Sequence, residues 1–173
     1  MTTVRSEAPT TSAQADRGDF ATWYGLEHSR VCATLGLAIG DRGLAEEATA
    51  EAFARALAAW PHVSAKASPT AWVYTVALNE VRSRLRRLRL ERRHTARQRL
   101  GYHPPPPDPD PQLWAAVAQL PPRARQAIAL RYVADLSEAE VAEAMGISRG
   151  TAAATLSKAR KRLADLLAPR SAS

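Results

Sequence analysis

At 173 residues the chain has room for one ordinary domain or two small ones, and an apolar content of 46% is enough for a buried core. The single cysteine, Cys32, excludes a disulfide framework and cysteine metal clusters, and no apolar run approaches the roughly 20 residues that cross a bilayer. The net charge of +7 is unevenly placed: residues 80–100 hold nine arginines against Glu80 and Glu91, while the remainder balances 15 basic with 15 acidic groups. Such a concentration is the electrostatic footprint of a polyanion binder. A solvated helix face is the alternative, although such faces usually mix signs.

Alanine, leucine, arginine and glutamate dominate, which favours helices over sheet. Residues 1–18 lack the apolar centre of a signal peptide. They are expected to form a disordered tail, on a cytoplasmic protein. Asp19 can cap a first helix carrying Phe20, Trp23, Tyr24, Val31 and Leu35. Gly40-Asp41 marks a turn, and a second helix is expected from Arg42 to Trp60, where Pro61 stops it. Ser68-Pro69 is a cap followed by proline at the first helical position. The helix it opens carries Tyr74, Leu78, Val81, Leu85 and Leu88 at spacings of three and four, one buried stripe. Arg82, Arg86, Arg89 and Arg93 repeat that spacing one position along, as an exposed stripe of their own.

Residues 101–111, "GYHPPPPDPDP", can be neither helix nor interior strand. Six prolines favour an extended, semi-rigid spacer. The expected architecture is therefore all-α: two small helical domains, 19–99 and 112–168, joined by a proline-rich linker (100–111), with a short tail at 169–173. In the second domain Asp110-Pro111 opens a short helix with Leu113, Trp114 and Val117, and Pro121-Pro122 precedes one with Ile128, Leu130 and Val133. Ser137 and Glu140 form a capping-box pair. The helix behind them ends at Gly146, and Ser148 caps the next. Helix, tight glycine turn, helix is the helix-turn-helix pattern, with small Ala142 placed where the two helices cross. The second helix of such a unit presents its N-terminal residues to the major groove. Ala152, Leu156, Ala159 and Leu163 then face inward, and Arg149, Ala153, Ala154, Ser157 and Lys161 outward. Arg149, Thr151 and Ser157 are the candidate base readers, and Lys158 and Lys161 suit phosphates. An ordinary three-helix packing unit is the competing reading.

The stretch "LPPRARQAIALRYVADLSEAEVAEAMGISRGT" closely resembles region 4 of bacterial extracytoplasmic-function (ECF) sigma factors, members of the sigma-70 family. "AEEATAEAFARALAAW" is similar to the polymerase-binding helix of region 2, and "SPTAWVYTVALNEVRSRLRR" to its promoter-melting and recognition helix. Two motif sets in the right order cover nearly the whole chain. The resemblance implies a promoter-specificity subunit, with core RNA polymerase and promoter DNA as partners and an anti-sigma factor as a further candidate. No cofactor and no metal is expected. By the same resemblance Glu46, Glu47 and Glu51 would dock on core polymerase, Phe53 and Leu57 being core; a solvated face is the alternative for the glutamates. Residues 62–68, "HVSAKAS", match the loop that captures a flipped −10 base, with Lys66 its polar candidate. Asn79, Arg82, Arg86 and Arg89 fall on the −10 recognition helix, and region 4 would read the −35 element. Trp72 and Tyr74 are either melting aromatics or core. Two stretches depart from the family pattern. Glu47 and Ala50 stand where aspartate and glutamine are usual, and "GTAAA" replaces "GTVKS", so that Ala153 takes the place of a basic residue.

Other classes explain less. The four histidines (His28, His62, His94, His103) lack the close spacing of a helical metal site, and the chain has no P-loop, dinucleotide fingerprint or nucleophile elbow. No catalytic residue is therefore assigned, and the chain is not expected to be an enzyme. A helix-turn-helix regulator would leave the arginine helix without a role. A sigma-like decoy would bind polymerase without initiating.

Overall fold

The computed structural model describes residues 11–92 and 111–168, and every regular element among them is helical. Helix α1 spans Thr11–Ile39, α2 Arg42–Ala58, α3 Trp60–Ser64 and α4 Pro69–Arg92. After residue 110 come α5 (Pro111–Ala118), α6 (Pro122–Ile128) with a π-helical turn over Ala129–Val133, α7 (Glu138–Met145) and α8 (Arg149–Leu167). The polyproline stretch before Pro111, and with it the proposed spacer, lies outside the described residues.

Two boundaries differ from the sequence expectation. Helix α1 begins at Thr11, so Asp19 lies within it and caps nothing, and residues 11–18 are helix rather than disordered tail. No proline follows Pro9 until Pro61, and extending a formed helix is far easier than nucleating one. The second helix ends at Ala58, and Pro61 sits in the first turn of α3 rather than closing α2. Proline is tolerated there because the first-turn N–H groups have no intrahelical acceptor.

The first half is a bundle of α1, α2 and α4, with α2 packed on both neighbours. Alanines 45, 48, 52 and 56 line the buried face of α2 and let its backbone approach closely. The Asp41 carboxylate accepts from the Leu44 N–H at 3.0 Å and fixes where α2 starts. Phe20, Trp23, Phe53 and Trp60 meet in an aromatic cluster; the ring centroids of Trp23 and Trp60 are 4.9 Å apart, and those of Phe20 and Trp60 5.2 Å. Phe53 is core, as expected. Leu57 is not: it is 48% exposed, because it follows Phe53 by four residues but falls on the rim of the buried alanine face.

The second half wraps α5, α6 and α7 around α8. The two halves are also packed together, α1 against α6 and its π-helical turn and α4 against α7, with Leu35, Val81, Ile128, Val141 and Met145 in one apolar cluster. The two halves are therefore in contact in this structure. No helix among the described residues is long and apolar enough to cross a membrane.

Candidate nucleic-acid interface

The helix-turn-helix is built by local chemistry. Ser137 accepts from the Glu140 N–H, and the Glu140 carboxylate accepts in return from the Ser137 N–H at 2.8 Å, a complete capping box. The Ser137 hydroxyl, donating to the carboxylate, holds the Glu140 pKa below its usual value, an effect partly offset by burial. That depression makes the stability pH-dependent in a defined sense. The contribution is full above the unfolded carboxylate pKa and is lost as pH falls through the folded one. Ser137→Ala is expected to lower stability by about 1 kcal/mol, and to shrink the acid-side loss seen in thermal melts between neutral and acidic pH. An unaltered melting profile would contradict the cap.

At its other end α7 stops because Gly146 turns left-handed (φ 63°). The Ile147 N–H then reaches the Ala142 carbonyl at 3.0 Å and the Gly146 N–H that of Glu143 at 3.0 Å, a Schellman motif. Ser148 accepts from the Thr151 N–H at 3.2 Å and starts α8. Ala152, Leu156 and Ala159 are buried and Leu163 half-buried, the inward face expected from the spacing. Arg149, Thr151, Ser157, Lys158 and Lys161 are all exposed on α8, together with Ala154. Ala153 is half-buried, which makes it less available than its neighbour. The Thr151 hydroxyl is paired with that of Ser148 at 2.8 Å, so its first task is capping.

On the first half, Ser68 accepts from the Ala71 N–H at 3.1 Å and starts α4. Tyr74, Leu78 and Val81 are buried, with Leu85 and Leu88 half-buried, so the stripe is real but weakens toward its C-terminal end. Trp72 is half-buried and Tyr74 fully buried, which makes both packing residues in this arrangement. Lys66 is half-buried in the turn before α4, and Asn79 and Arg86 are exposed on it. The side chains of Arg89 and Arg93 lie outside the described residues.

Arg82 does not lie free on the arginine stripe. Its guanidinium donates to the carbonyls of Met145 (2.7 Å) and Ala144 (2.8 Å) at the end of α7, and to Leu78 within its own helix. Burial, with the Arg123 cation as a lesser cause, pulls its pKa below the usual guanidinium value. A residue that spacing places on a solvent stripe is thus occupied by a partner 62–63 positions away, a contact no local pattern announces.

The three docking candidates are solvent-facing or half-buried, and all are ion-paired. Glu46 meets Arg42 at 2.7 Å and Glu51 meets Arg55 at 2.8 Å, while Glu47 pairs with Arg84 of α4. Behind them Glu80, largely covered, gathers Arg84 (2.9 Å), Arg55 (3.4 Å) and Arg87 (3.6 Å). This network ties α2 to α4. Beside it, α2 leaves Ala50, Ala54 and Leu57 exposed, a small apolar strip next to the acidic one. His28 packs its ring 4.7 Å from Tyr24 and 5.4 Å from Phe53, which is a stacking role.

The family models for Sigma-70 region 2 and for Sigma-70 region 4 match residues 24–91 and 111–163. No curated protein matches the chain. Among solved structures, the sigma factor RpoE of Bartonella quintana, in complex with the anti-sigma factor NepR, is 23% identical with a TM-score of 0.71, over 86% of this chain and 96% of that one. CnrH, in complex with the cytosolic domain of CnrY, is 18% identical with a TM-score of 0.57, over 90% and 92%. Both likenesses concern the fold. The first half, with its acidic helix and arginine helix, is sigma region 2, the capped helix pair is region 4, and the chain belongs to the sigma-70 family.

Proposed function

We propose that this protein is an ECF-type sigma factor that brings core RNA polymerase to promoters and initiates transcription there, acting in the cytoplasm and performing no catalysis itself. The observation that carries the reading is the pairing, in one chain, of a region 2 with a region 4 whose recognition helix exposes Arg149, Ser157, Lys158 and Lys161. Region 4 would lay the N-terminal turns of α8 in the major groove of the −35 element. Lys158 and Lys161 would hold phosphates, and Arg149, Thr151 and Ser157 the base edges. The exposed Ala154 can offer only its methyl, which suits a thymine methyl. Region 2 would engage the −10 element through Lys66, Asn79, Arg86 and Arg89, with Glu46, Glu47 and Glu51 against the polymerase. Arg82 belongs to that set only when it has left α7. An anti-sigma factor is a fitting further partner, since the two solved neighbours are each bound to one protein partner.

Run-off transcription with purified core polymerase and a promoter library tests the reading. Transcripts are expected from a subset of promoters. Core binding without transcript would make the chain a decoy, and duplex binding without core binding would make it a helix-turn-helix regulator. In the active system Arg86→Ala should weaken promoter binding at every sequence. It should also flatten the plot of log affinity against log salt by about 0.9 for the lost phosphate contact. An unchanged slope would mean that Arg86 never touches DNA.

A further inference from the structure

Among the described residues three helical segments end in a residue with positive φ: α1 at Gly40 (76°), the π-helical turn at Asp135 (55°) and α7 at Gly146 (63°). Helix ends leave carbonyls without intrahelical donors and carry the negative end of the macrodipole. At each of these three ends the donor is an arginine from the opposite half of the chain. Arg125 of region 4 donates to Ile39 at 2.9 Å and to Ala38 at 3.3 Å, at the end of α1. Arg82 of region 2 donates to Ala144 and Met145. Arg30 of region 2 donates to Ala134 at 2.9 Å. The two glycine ends are also close-fitted: a Cβ at Gly40 would stand 2.9 Å from Arg125 Nη2, and one at Gly146 2.8 Å from Arg82 Nη1.

From this reciprocity we infer that Arg30, Arg82 and Arg125 are latch residues that hold a closed form of the chain, and that the closed form withholds Arg82 from promoter DNA. The inference rests on the reading of α4 as a DNA-binding helix. With Nε, Nη1 and Nη2 each already donating to a carbonyl, Arg82 keeps no complete fork for a bidentate phosphate contact, so its two roles compete. Opening swaps each of these arginine–carbonyl bonds for bonds to water. It also uncovers apolar surface on α4 and α7, which resists opening until a ligand prefers the open form. Core polymerase with promoter DNA is such a ligand, since an anion that pairs with Arg82 binds only the opened chain. The consequence for Arg82 is unusual. Its loss removes a phosphate contact and also removes the brake on reaching it, so its effect on promoter affinity is smaller than that of Arg86, which has no latch to release.

The state of the latch can be read without reference to activity. In the full chain with Cys32→Ser, nitroxides placed at the exposed residues Leu26 (first half) and Asp165 (second half) report the distance between the halves. The wild type should give one narrow population. Arg82→Ala should raise the fraction at longer distance about tenfold, equivalent to about 1.4 kcal/mol, and adding Arg125→Ala should make the longer population dominant. Arg82→Lys, which keeps the charge but lacks the fork, should open nearly as much. Wild type bound to core polymerase and a promoter fragment should show only the longer distance. An unchanged single population in the double variant overturns the latch, as does loss of far-UV helical signal in place of a second population, or a closed distance in the promoter complex. A wild type that never yields a transcript, with Arg82 variants that still open, would sink the sigma reading and leave the latch standing.

Discussion

Phe53→Ala is expected to cost about 3–5 kcal/mol of stability, in the range for removing a buried aromatic ring, and to lower Tm by on the order of 10 °C for a chain of this size. The ring is 2% exposed. Its centroid lies 5.1 Å from those of Trp23 and Tyr24. Removing it takes away the packing partner through which α1 is fixed to α2, and the neighbours, all rigid rings, are poorly shaped to collapse into the space. The loss should spread to function, because α2 carries Glu46, Glu47 and Glu51 and their placement depends on how it sits against α1 and α4. Leu57→Ala gives the internal control. That side chain is nearly half exposed, so its removal should stay within about 0.5 kcal/mol. If the strip of Ala50, Ala54 and Leu57 contacts polymerase, Leu57→Ala should still weaken core binding, measured by competition for core. Thermal melts of the two variants decide the matter: similar Tm values would place Phe53 outside the core.

The sequence carried the local features well because each is written in adjacent residues. Ser137 with Glu140, Gly146, Ser148, and Ser68-Pro69 are signals whose partners lie within four positions, and all of them stand in the structure where the pattern puts them. The inward face of α8 was legible for the same reason. Two local signals failed, the Asp19 cap and the Pro61 stop; at the candidate interface what failed was non-local. Nothing around Arg82 distinguishes it from Arg86, and both are exposed, yet Arg82 is bonded to the end of α7. Arg30 and Arg125 are equally unmarked in the sequence, since their acceptors in the opposite half lie 104 and 86–87 residues away. The glycines did hold half of the information, because a helix ending in a left-handed glycine advertises free carbonyls. Which donor arrives there is decided by the packing of the halves. Leu57 was misplaced for a different reason: its spacing from Phe53 fits a wide apolar face, and the face that alanines build on α2 is narrow.

The second large effect is expected at Gly146. Substituting alanine forces a side chain into the left-handed region (φ 63°), which costs about 1–2 kcal/mol. It also places a Cβ 2.8 Å from Arg82 Nη1. The guanidinium is the free end of a flexible side chain and can swing aside, so the overlap itself is cheap to relieve. The cost lies in the bonds it abandons at Ala144 and Met145, which together bring the expected loss to about 2–4 kcal/mol. Gly146→Asn separates the two contributions, since asparagine tolerates the left-handed region far better but carries the same Cβ. A double-mutant cycle with Arg82→Ala completes the separation. In the Arg82→Ala background Gly146→Asn should be nearly neutral and Gly146→Ala should retain only its backbone strain, whereas in the wild-type background both should weaken the contact between α4 and α7. Strict additivity in that cycle, measured by chemical denaturation, would show that Arg82 and the glycine turn do not communicate. Coupling would show that the turn required to present the recognition helix is also the socket that receives the arginine, so that one glycine serves both the reading of DNA and the closing of the chain.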